Sequence, residues 1–213
     1  MERRSFKISL TRNPSIAVRV IPGHFTTSHS HLNYYLDLCD LKTNARIAKE
    51  VAVELITPYL AATPIDTIVC IEGTEVIGAY MADELRKSGT SVINSGKDIH
   101  VVTPLNNIHR KLMFQDNVKE MVFNQNVLLL ISSISTGITV NGILELLSYY
   151  GGRLAWISAL FNAYPEKLTQ KIHSLFTSED IPGYKLFDPK DCEMCKEGRK
   201  LDAIVFHDGY TKI

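Results

Sequence analysis

Charge of one sign is missing from this chain. Its 213 residues carry 23 Lys+Arg against 23 Asp+Glu, a formal net charge of zero. A general nucleic-acid binder needs surplus positive charge to displace counterions from phosphates, so that class is excluded. A small anionic ligand at one local site is not. Long apolar runs are missing too. Val127–Ile131 falls far short of the roughly 20 residues a bilayer-crossing helix needs, so no membrane span or membrane partner is expected. Cysteine is scarce: four in a chain of this length make no disulfide scaffold, and a reducing cytoplasm is the expected compartment. The opening MERRSFKISLTRNPS is basic but has no apolar core, so no secretory signal is expected.

Three catalytic or nucleotide fingerprints are also absent. There is no GxGxxG and no GxxxxGK[ST]. There is no GxSxG elbow either, and no His or Asp is placed to activate Ser132 or Ser133 as a nucleophile.

What is present reads as one soluble domain. Hydrophobic residues make up 45% and charged residues 22%, ordinary values for a globular protein. Residues 1–40 are mixed and rich in aromatics and His. Ile47, Ala48, Val51, Ala52, Leu55, Ile56 and Tyr59 then fall on one face at helical periodicity, with Thr43 or Asn44 as the cap. IDTIVCIEG is a buried strand, residues 75–88 a helix, and Ile99–Val102 a short strand. Residues 103–126 form a long polar excursion, a hairpin or a mobile loop. Strand 127–131, helix 138–150 and strand Leu154–Phe161 follow, with Gly151 and Gly152 stopping the helix. The tail, 162–213, alternates short helical and turn segments. Strands alternating with helices imply an α/β fold with a parallel sheet, whose ligands sit beyond the carboxyl ends of the strands. The two loops placed there are Glu72–Glu75 and Ser132–Thr139.

The second loop carries the sharper signal. NVLLLISSISTGITVNGILELLSYYGG places small hydroxyl residues and Gly between a buried strand and an amphipathic helix. Amide N–H groups at a helix start attract anions, and Gly137 lets the backbone approach closely. The competing reading is a plain helix cap by Ser135 or Thr136.

VLLLISSISTGITVNGILELLSYYGG resembles the phosphoribosyl-diphosphate motif of type I phosphoribosyltransferases: apolar strand, two acids, then a T-T-G-G-T loop. HFTTSHSHLNYYLDL, IVCIEGTEVIGAYMADEL and FDPKDCEMCKEGRKLDA are similar, in the same order, to segments of orotate phosphoribosyltransferase. The resemblance implies an α/β fold of parallel sheet and flanking helices with a small hood. It implies a single domain over 1–213, with a core at about 42–161 and a hood from 1–41 and 162–213. It also implies a homodimer, a small phosphorylated ligand (phosphoribosyl diphosphate or a nucleotide monophosphate), and Mg²⁺ if the protein is catalytic. By resemblance, Ser135, Thr136, Gly137, Ile138 and Thr139 hold a 5′-phosphate and Ser132 meets the ribose. Glu72, Gly73, Thr74 and Glu75 meet the diphosphate, and Phe25, Tyr34 and Tyr35 meet the base.

The departures bear on chemistry. Ile131 and Ser132 stand where the family has the two acids that hold the ribose hydroxyls and help gather Mg²⁺. Thr103-Pro104 stands where a basic pair is expected. The excursion reads first as a solvated surface hairpin; Lys111, Arg110 and Lys119, with His109 nearby, are the candidates for a base shifted along it, and no catalytic residue is assigned. The reading is therefore double: transfer of a phosphoribosyl group to a pyrimidine such as orotate, or a non-catalytic binding or regulatory module that kept the cradle. Cys192 and Cys195 form a C-x-x-C with His207 downstream, but zinc needs four ligands and no second pair is evident. Cys39, Cys70, His29 and His31 would serve only if folding brought them close. His24, His29 and His31 read as polar loop residues, and no metal ligand is assigned.

Overall fold

β1 (Phe6–Leu10), β2 (Asn13–Thr26) and β3 (His31–Asp37) open the chain as an antiparallel meander. The structure, a computed structural model, describes residues 2–87, 89, 93–106, 111–163, 172–206 and 209–213. Residues 1–40 are thus strand-forming, which their sequence hides. Pro22 and Gly23 break the alternation, and the β2–β3 register shifts between Pro22 and Phe25. Such bulges bend a strand and re-aim its side chains. Gly23 is required there: a Cβ would lie 2.7 Å from the Phe25 ring and 3.0 Å from Asp202 Oδ2.

α1 (Cys39–Thr43) leads into α2 (Ala45–Ile56). The Asn44 side chain caps α2 by accepting from the N–H groups of Arg46 and Ile47. Ile47, Ala48, Val51, Ala52, Leu55 and Ile56 form its buried face. Tyr59 is buried in the 3-10 turn that follows.

The central sheet comes next. β4 (Thr67–Ile71), α3 (Glu75–Arg86) and β5 (His100–Val102) precede the excursion. That excursion is a small hairpin, β6 (Leu105–Asn106) with β7 (Leu112–Met113), and a short α4 (Asp116–Lys119). β8 (Asn126–Ile134), α5 (Ile138–Tyr149), β9 (Arg153–Asn162) and β10 (Ile172–Thr177) complete it. All neighbours in the order β10-β9-β8-β4-β5 pair parallel. Two expectations change. β8 runs to Ile134 rather than Ile131, because pairing with β9 continues through Ser133 opposite Phe161 and Ile134 opposite Asn162. The segment 162–213, expected in the hood, gives its first strand to the central sheet, where Leu175 and Phe176 enter the core.

The rest of the tail joins the N-terminal meander. β11 (Leu186–Phe187) pairs with β3, then comes α6 (Glu193–Lys196); β12 (Ala203–Phe206) runs parallel to β2, and β13 (Gly209–Lys212) closes a hairpin. The tail is therefore strand-rich rather than helical and turn-like. Strands of two to four residues carry too few alternations to be read in sequence.

Successive strand residues face opposite sides. Leu128 and Leu130 of β8 pack with α2 and α3; Val127, Leu129 and Ile131 pack with Val140, Ile143 and Leu147 of α5. This alternation sets the site.

Candidate phosphate-binding cleft

Ile131 follows Leu129 onto the α5 side of the sheet and is 0% exposed. Ser132, at 3%, turns the other way. It lines a small hollow with Lys42, Tyr34, Tyr35 and Tyr184. The two positions where the resemblance expects acids thus face opposite sides of the sheet, one inside an apolar core.

Beyond Ile134 the chain leaves β8 and turns into α5. The turn is made at Gly137, whose φ of 79° is left-handed and disfavoured for any residue with a Cβ. Gly137 is the N-cap of α5, and no side chain caps the helix. The plain-cap reading of Ser135 and Thr136 therefore fails: their hydroxyls do not satisfy the helix start. The first-turn N–H groups of an α-helix have no intrahelical partner and carry partial positive charge. Ser135, Thr136, Gly137, Ile138 and Thr139 all line one cleft of about 510 Å³.

The opposite wall of that cleft comes from the hood. Thr27, Ser28 and His29, from the β2–β3 turn, and Ile204, Val205 and Phe206 of β12 face the cradle. Thr27 closes its turn by hydrogen bonds with Ser30. A second, larger cleft of about 1060 Å³ lies on the other side of Ile138 and Thr139. Among the described residues its charged lining is Glu72, Glu75 and Glu145 against Lys111.

Glu72 lines both clefts. It adopts φ 61°, and Gly73 follows at φ 77°. A non-glycine residue in this region costs about 1–3 kcal/mol and persists only where its surroundings hold it. Here Lys42 Nζ donates to the Glu72 carbonyl at 2.9 Å, and the Glu72 carboxylate accepts from Ser133 N–H at 3.3 Å. Thr74 is buried and donates its hydroxyl to the carbonyls of Ile71 and Leu130, tying β4 to β8. Glu75 opens α3 and accepts from the Thr103 hydroxyl at 2.9 Å.

Other expected site residues lie elsewhere. Phe25 is wholly buried in the hood core with Ile21, Leu32, Tyr35 and Ala203, so it has no surface for a base. Tyr35 belongs to that core and stacks edge-on with Tyr210; burial pushes its phenol well above the usual tyrosine range. Tyr34 lines the small hollow and packs edge-on against Phe6. Lys119 pairs with Asp116, sits 5.7 Å from the Tyr150 ring centroid, and lines none of these clefts. Lys111 lines the larger cleft. Arg110 and His109 lie outside the described residues. Lys42 was missed by sequence reasoning. It is a buried cation on α1, and nothing in its local pattern marks it as different from the other lysines.

At the two positions where the resemblance expects acids, the residues do not fit Mg²⁺. Such an ion takes oxygen ligands, commonly one or two carboxylates beside phosphate oxygens. Ile131 offers none and Ser132 only a hydroxyl. Among the described residues Glu72, Glu75 and Glu145 line the larger cleft, but no three His, Cys, Asp or Glu ligand atoms converge at either cleft closely enough to hold a metal ion by themselves.

The parallel sheet, its flanking helices and the strand-rich hood define the type I phosphoribosyltransferase fold. The chain is similar in structure to UMP synthase of Leishmania donovani, with 17% identity and a TM-score of 0.56 over 84% of this chain and 36% of that one. It thus spans about a third of that protein's length. It is also similar to orotate phosphoribosyltransferase of Mycobacterium tuberculosis H37Rv, solved in complex with Fe(III) dicitrate. That match has 15% identity and a TM-score of 0.52 over 76% of this chain and 91% of that one. No protein-family model matches the sequence, and neither does any curated protein. At identities this low the structural likeness shows the fold alone.

Proposed function

We propose that this protein binds a ribose 5′-phosphate ligand, foremost a nucleoside 5′-monophosphate, and does not transfer the phosphoribosyl group. The carrying observation is the turn at Gly137, which opens the uncapped start of α5 into a cleft roofed by the hood. A phosphoryl group there meets amide donors from residues 136–139 and hydroxyls from Ser135, Thr136 and Thr139. Among the described residues Glu72 is the carboxylate lining the same cleft, and it offers an acceptor to a sugar hydroxyl.

Electrostatics disfavours transfer. A leaving diphosphate must be neutralised as it departs. Among the described residues, the cleft beside the cradle presents three carboxylates and one lysine, and no group of side chains that would hold a metal by itself. Each charge-assisted bond to ribose contributes about 1.5–3 kcal/mol, so losing two lowers transition-state binding by about 10²- to 10⁴-fold.

The second reading is transfer to a pyrimidine such as orotate with added Mg²⁺; the fold likeness to orotate phosphoribosyltransferase favours it. One assay separates the two. Orotate, phosphoribosyl diphosphate and Mg²⁺ are mixed with the protein and orotate absorbance is followed. A flat trace, with thermal stabilisation by UMP but not uridine, supports the binding reading. Turnover at an ordinary enzymatic rate overturns it.

A further inference from the structure

We infer that the hood holds a structural Zn²⁺ ion through His24, His31, Cys192 and Cys195. These four residues come from β2, β3 and the start of α6, and their ligand atoms lie within 4.8 Å of one another. His24 Nε2 is 3.1 Å from His31 Nδ1, 3.5 Å from Cys192 Sγ and 3.6 Å from Cys195 Sγ. Cys195 Sγ is 3.3 Å from His31 Nδ1. In tetrahedral zinc, bonds of about 2.3 Å to sulfur and about 2.0–2.1 Å to nitrogen give edges of about 3.3–3.8 Å between ligand atoms. Separations of 3.3, 3.5 and 3.6 Å fall in that range, 3.1 Å lies just below it, and all four ligand atoms stay within 4.8 Å of one another, so the side chains stand close to the corners of a zinc-sized tetrahedron.

Hydrogen bonding alone accounts poorly for the arrangement. His24 Nδ1 lies 2.8 Å from the Arg199 carbonyl, a contact that requires the proton on Nδ1. That leaves Nε2 with one lone pair facing three neighbours at once. A cation at the centre satisfies all four groups. The carbonyl contact is also the usual outer support that fixes the tautomer and orientation of a metal-bound imidazole. Two thiolates balance the ion's charge, so the site is neutral where it is buried. Sulfur and imidazole in tetrahedral array select zinc over magnesium or calcium.

Local backbone serves the same end. The β2 bulge spans Gly23 and His24, and Asp202 accepts from His24 N–H at 2.8 Å. Cys192 precedes α6 and Gly198, at φ 72°, turns the chain after it. The chemical consequence is long-range: the ion joins the β2–β3 hairpin to a segment 168 residues away from His24. The turn between the two histidines supplies Thr27, Ser28 and His29 to the cleft. Zinc therefore fixes the roof of the phosphate cradle, a positioning role independent of what the cradle binds. The sequence signal was available: two histidines seven apart across a turn, and a distant C-x-x-C. Hairpin juxtaposition, unlike helical spacing, is not visible until the strands are paired.

The test uses the untagged full chain. Metal analysis of protein purified without added metal is expected to find one zinc per chain. Replacement by Co²⁺ is expected to give a thiolate-to-cobalt charge-transfer band and the intense visible bands of tetrahedral cobalt. Cys195→Ser, at the exposed corner, and His31→Ala should each lose that band's intensity. Sub-stoichiometric zinc with only weak octahedral cobalt bands in the wild type overturns the inference, even if the variants fail to fold. So does an unchanged cobalt spectrum in Cys195→Ser, or an intact mass showing a Cys192–Cys195 disulfide in the purified protein.

Discussion

The carboxylate of Glu72 accepts a hydrogen bond from the backbone N–H of Ser133 at 3.3 Å. This contact sets the end of β4 against the end of β8 and places an acidic side chain of the cradle beside the strand that lacks its expected acids. If Glu72 serves the sugar and the turn at Gly137 serves the phosphate, the two are separable. Glu72→Ala is expected to weaken UMP by about tenfold, the loss of one charge-assisted bond, while leaving inorganic phosphate affinity unchanged. Isothermal titration with both anions checks this. Equal losses for both would place the carboxylate in a general folding role.

Gly137→Ala tests the turn itself. Holding alanine at a φ of 79° costs about 1–2 kcal/mol. The backbone escapes by shifting the start of α5, so binding of both UMP and inorganic phosphate falls together. Urea denaturation gives the stability change and titration the affinity change. A variant with full stability and full affinity contradicts the geometry.

Restoring the missing acid at the first position fails for a reason the fold supplies. Ile131 packs with Val69, Leu129 and Val140 in an apolar cluster. Ile131→Asp buries a carboxylate without a partner and lowers stability by roughly 3 kcal/mol or more. Ser132→Asp, facing the hollow beside Lys42, is expected to be milder. Melting temperatures of the two variants, measured side by side, decide the order.

Acid stability has a named contributor. The Asp66 carboxylate is partly desolvated, which favours its neutral form. The N–H and side-chain amide of Asn126, at 3.0 and 2.5 Å, together with Lys97 at 3.3 Å, outweigh this and hold its pKa below the usual aspartate range. A pKa depressed in the folded state adds stability above the unfolded value, and that stability is lost as pH falls through the depressed value. Asp66→Asn is therefore expected to cost about 1–2 kcal/mol at neutral pH, and its gap to the wild type should close in acid. A pH-independent gap argues that packing, not charge, is at stake.

Thiol reactivity distinguishes the four cysteines. Burial pushes the Cys70 thiol up to about 12, whereas Cys39 is exposed. With zinc bound, Ellman's reagent should modify Cys39 alone in the native protein. Strong chelator should then release Cys192 and Cys195, and only denaturant should release Cys70. Rapid labelling of three thiols before chelation contradicts the zinc site.

The central sheet was legible because its elements are long and one-sided. The six buried residues of α2 and the unbroken apolar start of β8 leave little choice of structure. The hood was not: β2 is interrupted by Pro22 and Gly23, and β11 has only two residues. The site divided along the same line. The turn at Ser135–Thr139 could be read from neighbouring residues alone. Lys42 against Glu72, and His24 against Cys195, are meetings between distant segments, and local pattern holds no record of them. Phe25 failed as a base contact because an aromatic residue in a strand can face either side, and the β2 bulge decided which.

The most direct measurement is a crystal structure of the protein grown with UMP. The account predicts the phosphate at the start of α5, its oxygens accepting hydrogen bonds from the amides of residues 136–139, with a ribose hydroxyl toward Glu72. A nucleotide bound with its phosphate elsewhere, or Ser135–Thr139 packed so that no anion enters at saturating UMP, would contradict it.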